Sequence, residues 1–233
     1  MDSKLMEKQI SSLIEGEQKY ALLVKRLNEY FYIVFFGGVV RDILWKMSDT
    51  IRDIDIVLIP RYNYVYAKEK YVLKNVINEH SEILPIGYNQ FGGYKIKGNK
   101  YGMDVWLLDD TWAFRNGILP ASATNLLNSV YLNIDSYAFN YSECCFVKNC
   151  DKKSYDEIDI LLEKSKCEEL NIIRAIVFSE KYNMPISNRL REKIKKLLTK
   201  WNELEKFLYF IQDKHYGRVL VDKREIEKVL RRN

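Results

Sequence analysis

Histidine is nearly missing from this chain, with only His80 and His215 among 233 residues. Cysteine is scarce as well, and Cys144, Cys145, Cys150 and Cys167 contain no C-x-x-C pair. A zinc centre is not expected from these spacings, and reduced, structural thiols are the expectation. Also lacking is any run of about 18 apolar residues of the kind that spans a bilayer. The N-terminal stretch MDSKLMEKQISSLIEGEQ is amphipathic and charged where a secretory signal would be continuously apolar. Neither an internal repeat nor a low-complexity tract is present. These absences point away from membrane, secreted and fibrous classes and towards a cytoplasmic globular protein.

What is present is ordinary in bulk and uneven in detail. Hydrophobic residues make up 47% and charged residues 30%, enough to build a real core without disulfide staples. The net charge is +5, yet residues 186–233 hold 14 Lys/Arg against 7 Asp/Glu. The remainder of the chain is therefore slightly acidic. A basic C-terminal part suits a polyanionic partner, and equally a solvated face on a helical domain.

The hydrophobic pattern changes along the chain. Residues 4–29 have the spacing of one amphipathic helix. YIVFF (32–36) reads as a buried strand entering a Gly37-Gly38 turn, VVRDILWKM as a helix, and DIDIVLI as a second strand closed by Pro60. Residues 62–79 are expected to be helical. GGYKIKGNKYGMDVWLL (92–108) has the alternation of a β-hairpin about Gly98-Asn99, and SVYLNIDSYAFNY and ECCFV suggest further strands. Beyond Asp151 the pattern is helical, over 154–164, 168–182, 188–199, 201–212 and 222–232. The expected fold class is α+β, with a small mixed sheet and helices over 1–150 followed by a small all-helical domain over 151–233.

The chemistry is concentrated in FFGGVVRDILWKMSDTIRDIDIVLI, residues 35–59. Side chains two apart on a strand point the same way, so Asp53 and Asp55 share a face and repel each other. A hard divalent cation with oxygen ligands is the usual compensation. Glycine at 37 and 38 lets an anion approach the backbone, and the following helix start offers unpaired N–H groups. A metal-binding pair beside a phosphate cradle suits a nucleoside triphosphate. A third carboxylate from another strand is the usual complement of a two-metal site. Asp104 is the candidate because it interrupts an apolar strand, whereas Asp109 and Asp110 lie at that strand's end.

The block GGVVRD…RDIDIVL resembles the head-domain signature of class II tRNA CCA-adding enzymes and bacterial poly(A) polymerases, within the DNA polymerase β-type nucleotidyltransferase superfamily. More loosely, NIIRAIVFSEKYNMPIS (171–187) is similar to the helix that opens the neck of those enzymes. The resemblance implies a nucleotidyltransferase head followed by a helical neck that closes over the nucleotide. It implies two Mg²⁺ ions (or Mn²⁺) on Asp53, Asp55 and Asp104, and a triphosphate held by Gly37, Gly38 and Arg41. The implied reaction moves a nucleotide from an NTP to a hydroxyl, most simply an RNA or tRNA 3′ end, and releases pyrophosphate. Asp104 would help activate the attacking hydroxyl.

Several positions depart from the family pattern. Fourteen residues separate Gly38 from Asp53, a slightly longer link than the family leads one to expect. The family's paired arginines before an Asp-Phe-Thr segment have only a faint echo in NSVYLNIDSYAF, where Asp135 either takes the motif's polar place or has a structural role. The base-reading neck motif is replaced by Glu168, Glu169 and Asn171, with Arg174 retained; Arg174 either pairs within the fold or contacts base or phosphate. Arg115, in a loop after the Asp104 strand, could reach phosphates. Tyr62, Tyr64 and Tyr66 could stack on bases, or reflect composition alone. Two other readings stay open: a toxin- or defence-type nucleotidyltransferase acting on tRNA, protein or a small molecule, and a non-catalytic nucleotide- or RNA-binding module.

Overall fold

The structure, a computed structural model, describes residues 1–62, 66–81, 85–89 and 91–231, with backbone alone at 66 and 67. The expectation at Tyr64 and that at the Tyr66 side chain lie outside the described residues. Two compact units emerge, one of residues 1–129 with 135–153, the other of 130–134 with 154–233.

The first unit is built on a sheet. Helices α1 (Ser3–Glu15) and α2 (Gln18–Leu27) lead into β1 (Phe31–Phe36), α3 (Gly38–Leu44), β2 (Asp53–Pro60) and α4 (Tyr66–Glu79). Then come β3 (Ile86–Tyr88), β4 (Tyr94–Lys97) and β5 (Gly102–Leu107), the single-turn helices α5 (Trp112–Arg115) and α6 (Ala123–Leu126), and the short strands β6 (Ala138–Asn140) and β7 (Cys145–Phe146). The strand order is β3-β4-β5-β2-β1-β6-β7. β2 and β5 run parallel, and the other described neighbours antiparallel. One face is apolar throughout: Ile33, Phe35, Ile54, Ile56, Leu58, Ile96, Met103, Val105 and Leu107 are all buried. Burying such side chains contributes on the order of 2 kcal/mol each, which leaves the opposite face free to carry charge at one end.

The N-terminal helix is not continuous. It breaks at Gly16-Glu17, and the break has a structural cause. Glu17 turns its carboxylate to the backbone N–H of Lys100 at 2.6 Å, and the Tyr20 hydroxyl donates to the Tyr101 carbonyl at 2.6 Å. The two residues clamp the β4–β5 turn, so closely that a Cβ at Gly98 would lie 2.5 Å from the Tyr20 hydroxyl. Burial, with Glu17 nearby, pushes that phenol up to about 12, so it stays a donor at any ordinary pH.

The second unit contains α7 (Glu168–Tyr182), α8 (Asn188–Thr199), α9 (Trp201–Tyr216) and α10 (Lys223–Arg231). Its core comprises Ile172, Ile173, Ile176, Leu190, Ile194, Leu208, Ile226 and Val229. Ser187 caps α8, its Oγ accepting from the Leu190 N–H at 3.1 Å. Residues 154–164, expected to be helical, are not. Ile158 and Ile160 form isolated bridges to Ile186 and Leu132, because their two-residue alternation buries both as a strand would. In SVYLNIDSYAFNY, read as strand, only Ala138–Asn140 enter the sheet. Among the described residues no helix is long and apolar enough to cross a membrane.

Candidate active site

The parallel pairing of β2 with β5 brings the predicted carboxylates together. Asp55 lies directly opposite Asp104, and Asp53 opposite Gly102. Cross-strand partners share a face, so the three aspartates stand on the polar side of the sheet, at the starts of both strands. Gly102 makes this possible. A Cβ there would lie 2.5 Å from Asp53 Oδ1, so the Asp53 carboxylate leans across the place where any other residue would put a side chain.

Asp53 is exposed, while Asp55 and Asp104 are half-buried. Asp104 Oδ1 accepts from Asn89 Nδ2 at 3.2 Å, and its Oδ2 lies 3.8 Å from Lys95 Nζ. Burial pushes the Asp104 carboxyl above the usual carboxylate range, and Lys95 and Asn89 counteract this while Asp53 adds to it. Because the folded-state value is raised, ionising Asp104 costs stability. The cost is absent below the ordinary carboxylate pKa, builds as pH rises from there to the raised value, and is constant above it. Asp104→Asn is therefore expected to raise the melting temperature at neutral pH and to give no gain at pH 3, as thermal melts across that range would show.

The all-oxygen donor set fits a hard divalent cation: two carboxylates share one strand face, and one reaches into an open glycine seat. Among the described residues no group of three His, Cys, Asp or Glu side chains is drawn together as a ready metal cage. Asp104 is engaged instead with Asn89 and Lys95.

The glycine turn lies at the other flank. Gly37 has φ +67 and ψ −128, a conformation that only glycine adopts readily. Its N–H donates to the Tyr137 carbonyl at 2.8 Å. A Cβ at Gly37 would lie 4.0 Å from Asp55 Oδ2, which places the turn against the carboxylates.

Arg41, expected beside Gly37 and Gly38 on the triphosphate, is turned inward. It is buried, with Nε donating to Asp42 at 2.8 Å and Nη1 to Asp135 at 2.5 Å. Its guanidinium fills the space beneath Gly38, where a Cβ would lie 3.3 Å from Nη2. Arg41 thus braces the turn from below, with Asp42 and Asp135 balancing its charge. Asp135 has that structural role.

Arg115 is also bound to protein. Its Nη1 donates to the Phe91 carbonyl at 2.7 Å, anchoring the turn in which Asn89 Oδ1 accepts from the N–H groups of Phe91 and Gly93, both at 2.9 Å. That turn presents Asn89 to Asp104. Arg174 belongs to the second unit, where Nη1 donates to Asn171 at 3.2 Å and the guanidinium lies over the Phe178 ring. Glu168 accepts from Lys193 at 2.6 Å and from Tyr131 at 3.2 Å. Tyr62 is exposed.

Asn89, Lys95 and Gly102 escaped the sequence reading. A signal for Gly102 exists: Gly-x-Asp at 102–104 pairs in register with Asp-x-Asp at 53–55.

No known family profile matches this sequence, and no curated protein is similar to it by sequence. Solved structures do match. A tRNA-processing enzyme with CTP aligns at TM-score 0.54 and 18% identity, over 85% of this chain and 52% of that one. A CCA-adding enzyme in complex with CTP aligns at 0.53 and 16%, over 89% and 52%. The fold is that of the tRNA nucleotidyltransferases. The Thermotoga maritima CCA-adding enzyme complexed with tRNA aligns at 0.51 and 16%, over 85% of this chain and 45% of that one. The chain thus spans about half the length of these three enzymes, and the expected α+β class is the one observed.

Proposed function

We propose that the chain is a metal-dependent nucleotidyltransferase that moves a nucleoside monophosphate from an NTP to the 3′ hydroxyl of an RNA, a tRNA end being the natural candidate. The observation that carries this reading is the register of β2 and β5. It places Asp55 opposite Asp104 and beside Gly37, so an acidic row and a glycine turn meet at one end of the central strands of a nucleotidyltransferase-fold sheet.

Asp53 and Asp55 would hold Mg²⁺ or Mn²⁺, two ions in the fullest arrangement, with Asp104 available once released from Lys95. Bound there, the metal would neutralise phosphoryl charge and lower the pKa of the attacking hydroxyl. The chain's own contributions are positional. With the Gly37 N–H donated to Tyr137, the turn meets the triphosphate through its bare glycine surface and the Gly38 backbone, and Arg41 holds that turn rigid. Asp104 accepts the proton of the acceptor hydroxyl. Asn89 keeps its carboxylate aimed across the face.

The four α-labelled NTPs, each incubated with total RNA and Mg²⁺ and followed by sequencing of RNA 3′ ends, test the reading. Label from at least one NTP is expected at RNA 3′ ends. Label in protein or small molecules alone would move the acceptor to those classes, and no transfer at all would leave a binding module.

A further inference from the structure

The polar face continues past the acidic side chains. Across the strands one row reads Gly87, Lys95, Asp104, Asp55, Phe36, and the adjacent row reads Lys97, Gly102, Asp53. β4 therefore sets Lys95 and Lys97 on the same face as the three aspartates, on the flank opposite Gly37. Both lysines are exposed. Among the described residues, a Cβ on Gly87, the register partner of Lys95, would meet no atom nearer than the Lys95 carbonyl oxygen at 3.9 Å. The result is a short, exposed cationic strip beside an acidic row.

The geometry of displacement gives this strip a use. An attacking hydroxyl enters in line with, and opposite to, the leaving pyrophosphate. With the triphosphate at Gly37 on the β1 flank, the acceptor must arrive from the β5 and β4 flank. A strand of RNA ending in that hydroxyl then carries its last phosphodiesters along β4. We propose that Lys95 and Lys97 are the acceptor track, binding the phosphates of the terminal nucleotides of a single-stranded RNA end. Alternate residues on a strand stand about 6.8 Å apart, a stride comparable with that of a sugar–phosphate backbone. Lysines contact phosphate as point charges and do not read bases, so the track holds the strand end irrespective of sequence. Such a role for Lys95 also accounts for its long 3.8 Å contact with Asp104, which leaves the ammonium able to serve a phosphate. The inference rests on the nucleotidyl-transfer reading and adds to it where the acceptor lies.

The test uses the full chain with Lys97→Gln, Lys97→Glu and the double variant Lys95→Gln/Lys97→Gln. The single variants matter because they leave the Asp104 contact intact. Affinity for a fluorescent tRNA transcript with a single-stranded 3′ end is measured by anisotropy across a salt series, alongside KM for RNA and for NTP. Loss of two single-strand phosphate contacts is expected to reduce the salt slope by about 1.4, equivalent to roughly 20-fold weaker binding at 0.1 M salt. The penalty should fall on KM for RNA rather than on that for NTP, and Lys97→Glu should exceed Lys97→Gln. Wild-type transfer to RNA with affinity and slope unchanged in all three variants would overturn the acceptor track alone. Failure of the wild-type chain to label RNA would overturn the nucleotidyl-transfer reading itself, and the track with it.

Discussion

Asp53→Asn is expected to lower nucleotidyl transfer by at least about 10³-fold, the scale on which preorganised charge at a reacting centre counts, without lowering the melting temperature. The two halves of this expectation come from one fact. Asp53 lies on the same face as Asp55 and Asp104, is exposed, and contributes to the raised pKa of Asp104. A side chain whose charge adds to the raised pKa of both Asp104 and Tyr20, and that makes neither an ion pair nor a hydrogen bond among the described residues, is not there for stability. Asparagine keeps its volume and removes a repulsive charge, so thermal melts should show no loss. Asp53→Asn/Asp55→Asn should abolish transfer in the same assays. Transfer within a few-fold of wild type in the single variant would remove Asp53 from the site.

Gly102→Ala is expected to cost about 10²-fold in transfer while leaving stability within about 0.5 kcal/mol of wild type. The added methyl would sit 2.5 Å from Asp53 Oδ1 and 3.6 Å from its Cγ. The carboxylate is the far end of a flexible, exposed side chain and can swing away at little energetic cost. Displacement of a reacting group by about 1 Å suffices for the predicted loss. A double-mutant cycle separates this from general damage. In the Asp53→Asn background Gly102→Ala should cost nothing further, because the group it displaces is already gone. Gly98 offers the contrast. A Cβ there would meet Tyr20 Oη at 2.5 Å and Glu17 Oε1 at 2.8 Å, both anchored, so the cost of alanine at that position falls on the fold.

The acidic row was legible in the sequence for local reasons. Strand periodicity alone puts Asp53 and Asp55 on one face, and an aspartate inside an apolar strand marks Asp104. The turn at Gly37 was visible through its company, because a glycine pair between a strand and a helix is common and structural by itself but here stands beside an Asp-x-Asp strand. The direction of Arg41 was not. It depends on Asp135, 94 residues away, in a segment whose alternation resembled a strand. The second face of β4 was hidden for a different reason: Lys95 and Lys97 acquire meaning only from the antiparallel register with β5. Over 154–164 the helical expectation failed because two alternating isoleucines bury through isolated bridges to Leu132 and Ile186, partners that no local window contains.

Mn²⁺ binding, followed by electron paramagnetic resonance in the presence of a non-hydrolysable NTP, tests the central claim most directly. Wild-type chain should deplete the free Mn²⁺ signal beyond what the nucleotide alone removes, and Asp53→Asn/Asp55→Asn should not. Equal depletion by the two proteins would show that the carboxylates of β2 do not hold the metal–nucleotide complex.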